Sequence, residues 1–372
     1  MEKKIISAAA AIVLAGGLYM SGRYIKDSGI LRGYPAAEYL TSDEAEHRPV
    51  YEMLSKDEKA VYTALYRGIS DKKEKIPLPM EIDGDEYSKI YCILEKQESS
   101  FFYLDSVYYT AQKVRDAKVV YREKSNAVLK ASELDAVIDT AMTGTADYWS
   151  DAEKVRYIND YIVKKCNYVT GDDSEYASTS YGCLVRGEAN CEGYAKAFRL
   201  LASQLDLDST VVTGKTDKGE NHAWNQVKVD DEWYNIDVTW ADTGSEGDIS
   251  LTYFLCSDAD FSRTHIADKS LFEPYSCGRD DRNYYIANGL YAQTYNEAEE
   301  ILRRELLADK SVVTIKFANE SIYNDFYDLV NDDRKMFDII KETEYHTKEA
   351  ICLDLGLNEQ GLCITLKFKF GE

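Results

Sequence analysis

The sequence predicts a protein of mixed helix and strand built in three parts, and three observations carry that prediction. A helical stripe of apolar residues follows Cys191, two alternating stretches flank Asp230 and Asp231, and a β-α-β-α-β-β order closes the chain after residue 283. At 372 residues the chain exceeds one ordinary domain and has material for a sizeable core. With 45% hydrophobic and 30% charged residues it has the balance of a globular protein, so no disulfide scaffold is needed to hold it. The expected divisions are 1–26, a mainly helical region over 27–148, a central domain over 149–282 and a small α/β domain over 283–372.

The first segment, MEKKIISAAAAIVLAGGLYMSGRY, has Lys3 and Lys4, no charge from Ile5 to Gly22, and then Arg23. An uncharged run between basic flanks reads as a signal peptide or an uncleaved N-terminal membrane anchor. Either one places the rest of the chain outside the cell or on its surface, with Lys3 and Lys4 inside. A lipoprotein is not expected, because LAGG at 14–17 has no cysteine after it.

In the next part, SKDEKAVYTALYRG opens on a Ser55 to Glu58 capping box and is expected to stop near Gly68. YLDSVYYTAQKV alternates as a strand would. A second box, Ser150 to Glu153, opens a helix whose Val155, Ile158, Ile162 and Cys166 share one face, which makes Cys166 a core residue. In the last part, a Thr294 to Glu297 box starts a helix through Leu307. SVVTIKF, a helix around 321–341, ICLDLGL and LCITLKFKF follow.

The formal net charge is −22, which repels phosphate backbones and makes nucleic acid an unexpected partner. It favours basic peptides over anionic polymers, or it serves only to keep a surface protein soluble. Eight cysteines suit an oxidising compartment, but no C-x-x-C spacing occurs, and the histidines at 47, 222, 265 and 346 are scattered. No metal and no cofactor is implied, and DGDEYS at 83–88 lacks the pattern of a calcium loop. Cys352 and Cys363 lie on two apolar runs joined by GLNEQG, where they are either bridged or packed.

Cys191 begins a helix whose inward set is Tyr194, Phe198, Leu201, Ala202 and Leu205. At a helix mouth the unpaired N–H groups and the positive end of the dipole favour a thiolate. Position alone does not settle it, because a lone cysteine at a helix start is more often structural. The segments NHAWNQVKV and EWYNIDVTW alternate as strands on either side of Asp230 and Asp231. A two-residue loop sets His222 opposite Thr239 and diagonal to Asp237, whereas a four-residue loop sets it opposite Asp237. Both registers keep His222 and Asp237 on one face, roughly 5–8 Å apart at Cβ. Cysteine, histidine and aspartate then have distinct tasks: nucleophile, proton acceptor and orienting carboxylate.

Taken together, ANCEGYAKAFRLLASQL, VVTG and NHAWNQVKVDDEWYNIDVTWAD resemble the bacterial branch of the transglutaminase-like superfamily, a relative of the papain-like thiol enzymes, most strongly over 150–260. The resemblance implies an α+β fold with the nucleophile helix packed on an antiparallel sheet. It implies Cys191 as nucleophile, His222 as base and Asp237 as orienting acid. Related chains often read IHDY where this one has Asn159 in INDY, a position without an assigned role. For an oxyanion hole the backbone N–H of Cys191 is one donor and Tyr181 the side-chain candidate, or Tyr181 packs. Cys183 lacks a helix start and reads as structural. The expected chemistry is an acyl-thioester formed from a protein or peptide amide. Water as acceptor makes a protease or amidase, which is the reading preferred here; a lysine amine makes a crosslinker. A non-catalytic cell-surface binding domain is the reading from another class.

Overall fold

The computed structural model describes residues 33–105, 112–170, 175–245, 248–343 and 350–370. The signal or anchor read in 1–26 lies outside the described residues, as do residues 106–111, half of the strand read in 103–114. No described helix is long and apolar enough to cross a membrane.

The N-terminal region contains α1 (Ser42–Ala45), α2 (Pro49–Met53), α3 (Lys56–Ser70), β1 (Lys75–Asp83), α4 (Gly84–Gln97), β2 (Lys113–Lys118) and α5 (Ala127–Met142). The capping box at Ser55 and Glu58 is present. The helix it opens runs past Gly68, because Gly68 acts as a contact point and not as a stop: a Cβ there would lie 2.5–2.9 Å from Ile76 of β1.

The central part holds α6 (Asp151–Lys165), β3 (Asn167–Tyr168), β4 (Glu188–Ala189), α7 (Cys191–Gln204), β5 (Ser209–Thr216), β6 (Asn221–Val229), β7 (Glu232–Ile236), α8 (Asp258–Phe261) and β8 (His265–Ala267). Strands β7-β6-β5-β8 form one antiparallel sheet in that order. Helix α7 lies across β5 and β6 and buries Tyr194, Phe198, Leu201 and Ala202, as its periodicity requires. Each of the larger three contributes roughly 1.5–3 kcal/mol by leaving water. This is the α+β arrangement expected from the sequence.

The hydrophobic core that starts at Leu40 continues without a break through α6 and α7 to Leu255, so the N-terminal helices share it with the sheet. Polar contacts reinforce the junction. Lys96 reaches Glu192 at 2.7 Å, and Lys196 reaches Glu95 at 2.6 Å and Glu192 at 2.7 Å, which ties α4 to the first turn of α7. The Gln97 amide imitates a strand at the edge of β5, donating to the Val211 carbonyl at 2.7 Å and accepting from its N–H at 3.1 Å.

The C-terminal part comprises α9 (Tyr284–Ala287), β9 (Tyr291–Ala292), α10 (Tyr295–Leu307), β10 (Val312–Phe317), α11 (Glu320–Val330), α12 (Asp333–Thr343), β11 (Ala350–Asn358) and β12 (Cys363–Phe370). The predicted strand and helix order is found, except that two helices replace the single one around 321–341. The sheet runs β11-β12-β10-β9 and covers a second core around Phe317, Phe326 and Ile364. Its register sets Cys352 opposite Phe368 and Cys363 opposite Asn358. Their Cα atoms are therefore roughly 17–20 Å apart along the hairpin, too far for the bridge left open by the sequence.

Candidate active site

The mouth of α7 is prepared by its cap. Asn190 is extended, and its side-chain oxygen accepts from the N–H groups of Glu192 (3.1 Å) and Gly193 (3.2 Å). No hydrogen bond among the described residues engages the N–H of Cys191. Gly193 lets the first turn press against its support: a Cβ there would stand 2.3 Å from the Ala177 carbonyl oxygen and 2.7 Å from Ala189 Cβ. Parallel pairing of β3 with β4 brings Tyr168 beside Ala189, next to the cysteine. Cys191 itself is half-buried.

The hairpin fixes the other two members. Asp230 and Asp231 have φ of 49° and 68°, the mirror-image two-residue turn that suits paired strands, and Val229 pairs with Glu232. Extended along the strands, this register makes His222 diagonal to Asp237. The chain leaves β7 after Ile236, and the Asp237 carboxylate closes the following turn by accepting from the N–H groups of Thr239 (2.9 Å) and Trp240 (3.1 Å) through Oδ1. Its Oδ2 accepts from His222 Nε2 at 2.7 Å. Cys191 borders the same cleft as this imidazole and acts on its titration. With Nε2 committed to Asp237, Nδ1 is the ring nitrogen left to exchange a proton.

Burial alone would lower the pKa of His222, but the Asp237 charge and its hydrogen bond outweigh burial and raise it to about 10. Burial would likewise push Asp237 up; the facing His222 and the hydrogen bonds from two imidazoles hold it far below the usual carboxylate range instead. Trp240 stacks on His222 with ring centroids 5.2 Å apart and shields the pair.

The second imidazole on Asp237 is His265, which the sequence reading left among scattered histidines. Its Nε2 lies 3.1 Å from the same Oδ2. It arrives because β8 pairs with β5, with His265 opposite Thr216. That pairing depends on Gly214 in VVTG, where a Cβ would stand 2.2 Å from the Ile266 carbonyl oxygen. No local pattern announces this neighbour.

Tyr181 is not part of the site. It is buried, stacks on Phe102 at 4.9 Å, and donates its hydroxyl to Glu133. A cluster with Phe102 and Tyr176 claims the ring, so the oxyanion role expected for it is withdrawn. Cys166 and Cys183 are buried, in keeping with structural roles.

Cys191 and His222 open onto a cleft of about 570 Å³ bordered also by Tyr168, Thr213, Lys215 and Asn221. A second hollow of about 770 Å³ shares Tyr168, Asn221 and His222 and extends past Trp240 and Asp242 to Gln360 of the C-terminal part. His222 thus sits where the two hollows meet, with Cys191 on the first. As metal ligands, His222, Asp237 and His265 place donor atoms within 4.8 Å of one another. The set fits a cation poorly, because both imidazoles already spend their N–H on one carboxylate oxygen and the other oxygen holds two backbone N–H groups.

Residues 138–238 match the model of the transglutaminase-like superfamily, a span that includes Cys191, His222 and Asp237. No curated protein matches the chain. Among solved structures it is similar to one described as a TGase, at 21% identity over 31% of this chain and 33% of that one, with a TM-score of 0.27. A candidate cysteine protease from Cytophaga hutchinsonii shows 16% identity over 40% of this chain and 56% of that one, with a TM-score of 0.26. Menin, solved for its binding site for the Mixed Lineage Leukemia protein, shows 12% identity over 78% and 62%, with a TM-score of 0.27. The chain spans between 33% and 62% of the length of these structures.

Proposed function

We propose that this chain, a transglutaminase-like superfamily protein, is a cysteine-nucleophile enzyme that hydrolyses amide bonds of proteins or peptides. The observation that carries the reading is the placement of Cys191 and His222 on one cleft, with His222 Nε2 held 2.7 Å from Oδ2 of the buried Asp237. His222 Nδ1 takes the thiol proton, and Asp237 stabilises the imidazolium so formed. The thiolate attacks the acyl carbon, and the unengaged N–H of Cys191 at the helix mouth receives the developing oxyanion. The imidazolium then protonates the leaving amine. Water, deprotonated by His222, attacks the thioester and releases the acid.

A lysine amine in place of water would instead yield a crosslink, and the charge of −22 draws amines as readily as basic peptides. Export by residues 1–26, cleaved or retained as an anchor, belongs to the same proposal and sets the substrate among proteins outside the cell or on its surface. In the test, purified protein is incubated with a denatured protein and a fluorescent amine. Hydrolysis gives new amine termini, and Cys191→Ala lowers their release on the order of 10⁴-fold or more. Incorporation of the amine without new termini would move the assignment to transfer. Partner binding and cellular effect that survive Cys191→Ala intact would leave a binding domain.

A further inference from the structure

The geometry points to His265 as a positioning residue that completes a four-membered relay, Cys191–His222–Asp237–His265; the inference rests on the enzyme reading of Cys191. Asp237 is 1% exposed, so nothing but protein can satisfy its charge. A buried carboxylate needs donors on both oxygens, and removing one costs more than an average hydrogen bond returns. The backbone of 239 and 240 fills Oδ1, and His222 and His265 share Oδ2. Without His265, the oxygen that must face the base would be held by the base alone, and the carboxylate could turn about its Cβ–Cγ bond.

His265 is built to stay where it is. Its side chain is fully buried. The ring stacks on Phe261 with centroids 3.8 Å apart and meets the edge of Trp224 at 5.1 Å. Its Nδ1 is 2.8 Å from the Thr264 hydroxyl, whose alternative acceptor, the Phe261 carbonyl, is more distant at 3.4 Å. A hydroxyl donating to Nδ1 fixes the tautomer that carries its proton on Nε2, the one able to donate to Asp237. His265 also stands outside the 138–238 span that matches the family model, so no comparison assigns it a role.

The test requires no known substrate. The rate of Cys191 alkylation by iodoacetamide is measured against pH in the wild type, His265→Phe, His265→Gln and Thr264→Val. His222 titration is followed in parallel by NMR, and thermal unfolding checks each fold. His265→Phe keeps the ring and its stacking but deletes the N–H. It is expected to slow alkylation about tenfold or more at neutral pH and to move the acid limb of the profile upward. His265→Gln, whose amide can donate, recovers part of the loss, and Thr264→Val shifts the profile in the same direction by less. Folded variants with wild-type rates and profiles would overturn the inference. Should His265→Phe fail to fold, the other two decide by the same readouts. A wild type that already labels like an ordinary thiol would overturn the enzyme reading itself, a result separate from any effect of His265.

Discussion

Asp237 sets the electrostatics of the site residue by residue, and its removal has a defined sign. His222 gains protons in the folded state, with its pKa raised from 6.5 to about 10. That contribution to stability is full below about pH 6.5 and is lost as pH rises toward 10. Asp237 is the opposite case: its contribution is present above its ordinary pKa and is lost as pH falls through the depressed one. Urea unfolding across pH should therefore show decline on both the alkaline and the acid side, and Asp237→Asn should flatten both. In that variant burial acts on His222 without an opposing charge, so NMR titration should find the imidazole neutral at pH 7 and Cys191 labelling slowed. The placement of Cys191, His222 and Asp237 was legible in the sequence because each sits on a feature with its own local rule: a helix start, a strand face and a hairpin. Of the two readings open for Tyr181 the packed one holds, since its distance from Cys191 along the chain says nothing of where its ring points.

Among the elements, α7 places the sulfur, and its first turn tolerates no added atoms. Gly193→Ala would force a Cβ onto Ala177 and Ala189, at an expected cost of about 1–3 kcal/mol. Thermal unfolding would register the loss, and Cys191 alkylation should slow because the helix mouth is displaced. The strand pair β6 and β7 was predicted with two registers open, and the pairing of Val229 with Glu232 selects the one with the two-residue turn. Strand β8 was not predicted: three residues at a sheet edge carry too short a pattern, and their partner lies about fifty residues upstream in β5. The helix around 321–341 was predicted as one because its apolar period hardly changes across Asn331, where α11 ends.

For the whole molecule, the question is how the C-terminal part is held against the central part. Lys316 of β10 is buried and donates to Asp260 at 2.6 Å and to the Thr252 carbonyl at 2.9 Å, next to Tyr253, which packs edge-on against Trp240 and His265. Burial works against the ammonium, and the Asp260 carboxylate acts the other way and favours its charged form. Breaking such a pair leaves a charge without its partner. Lys316→Ala should destabilise the protein by about 3 kcal/mol, the low end for buried pairs because Asp260 is partly exposed. Calorimetry should then resolve the C-terminal part unfolding ahead of the core, which would lose the wall that Gln360 lends to the second hollow.

The sequence by itself determined the start of α7, the hairpin with its turn, and the common face of His222 and Asp237. Each follows from periodicity, capping or turn chemistry, forces that act between residues close along the chain. Only the tertiary structure decided that His265 joins Asp237 across 28 residues, that Glu133 claims Tyr181 across 48, and that Lys316 of the C-terminal part pairs with Asp260. Those contacts depend on which packed surfaces meet, and a buried donor takes the acceptor that packing leaves within reach.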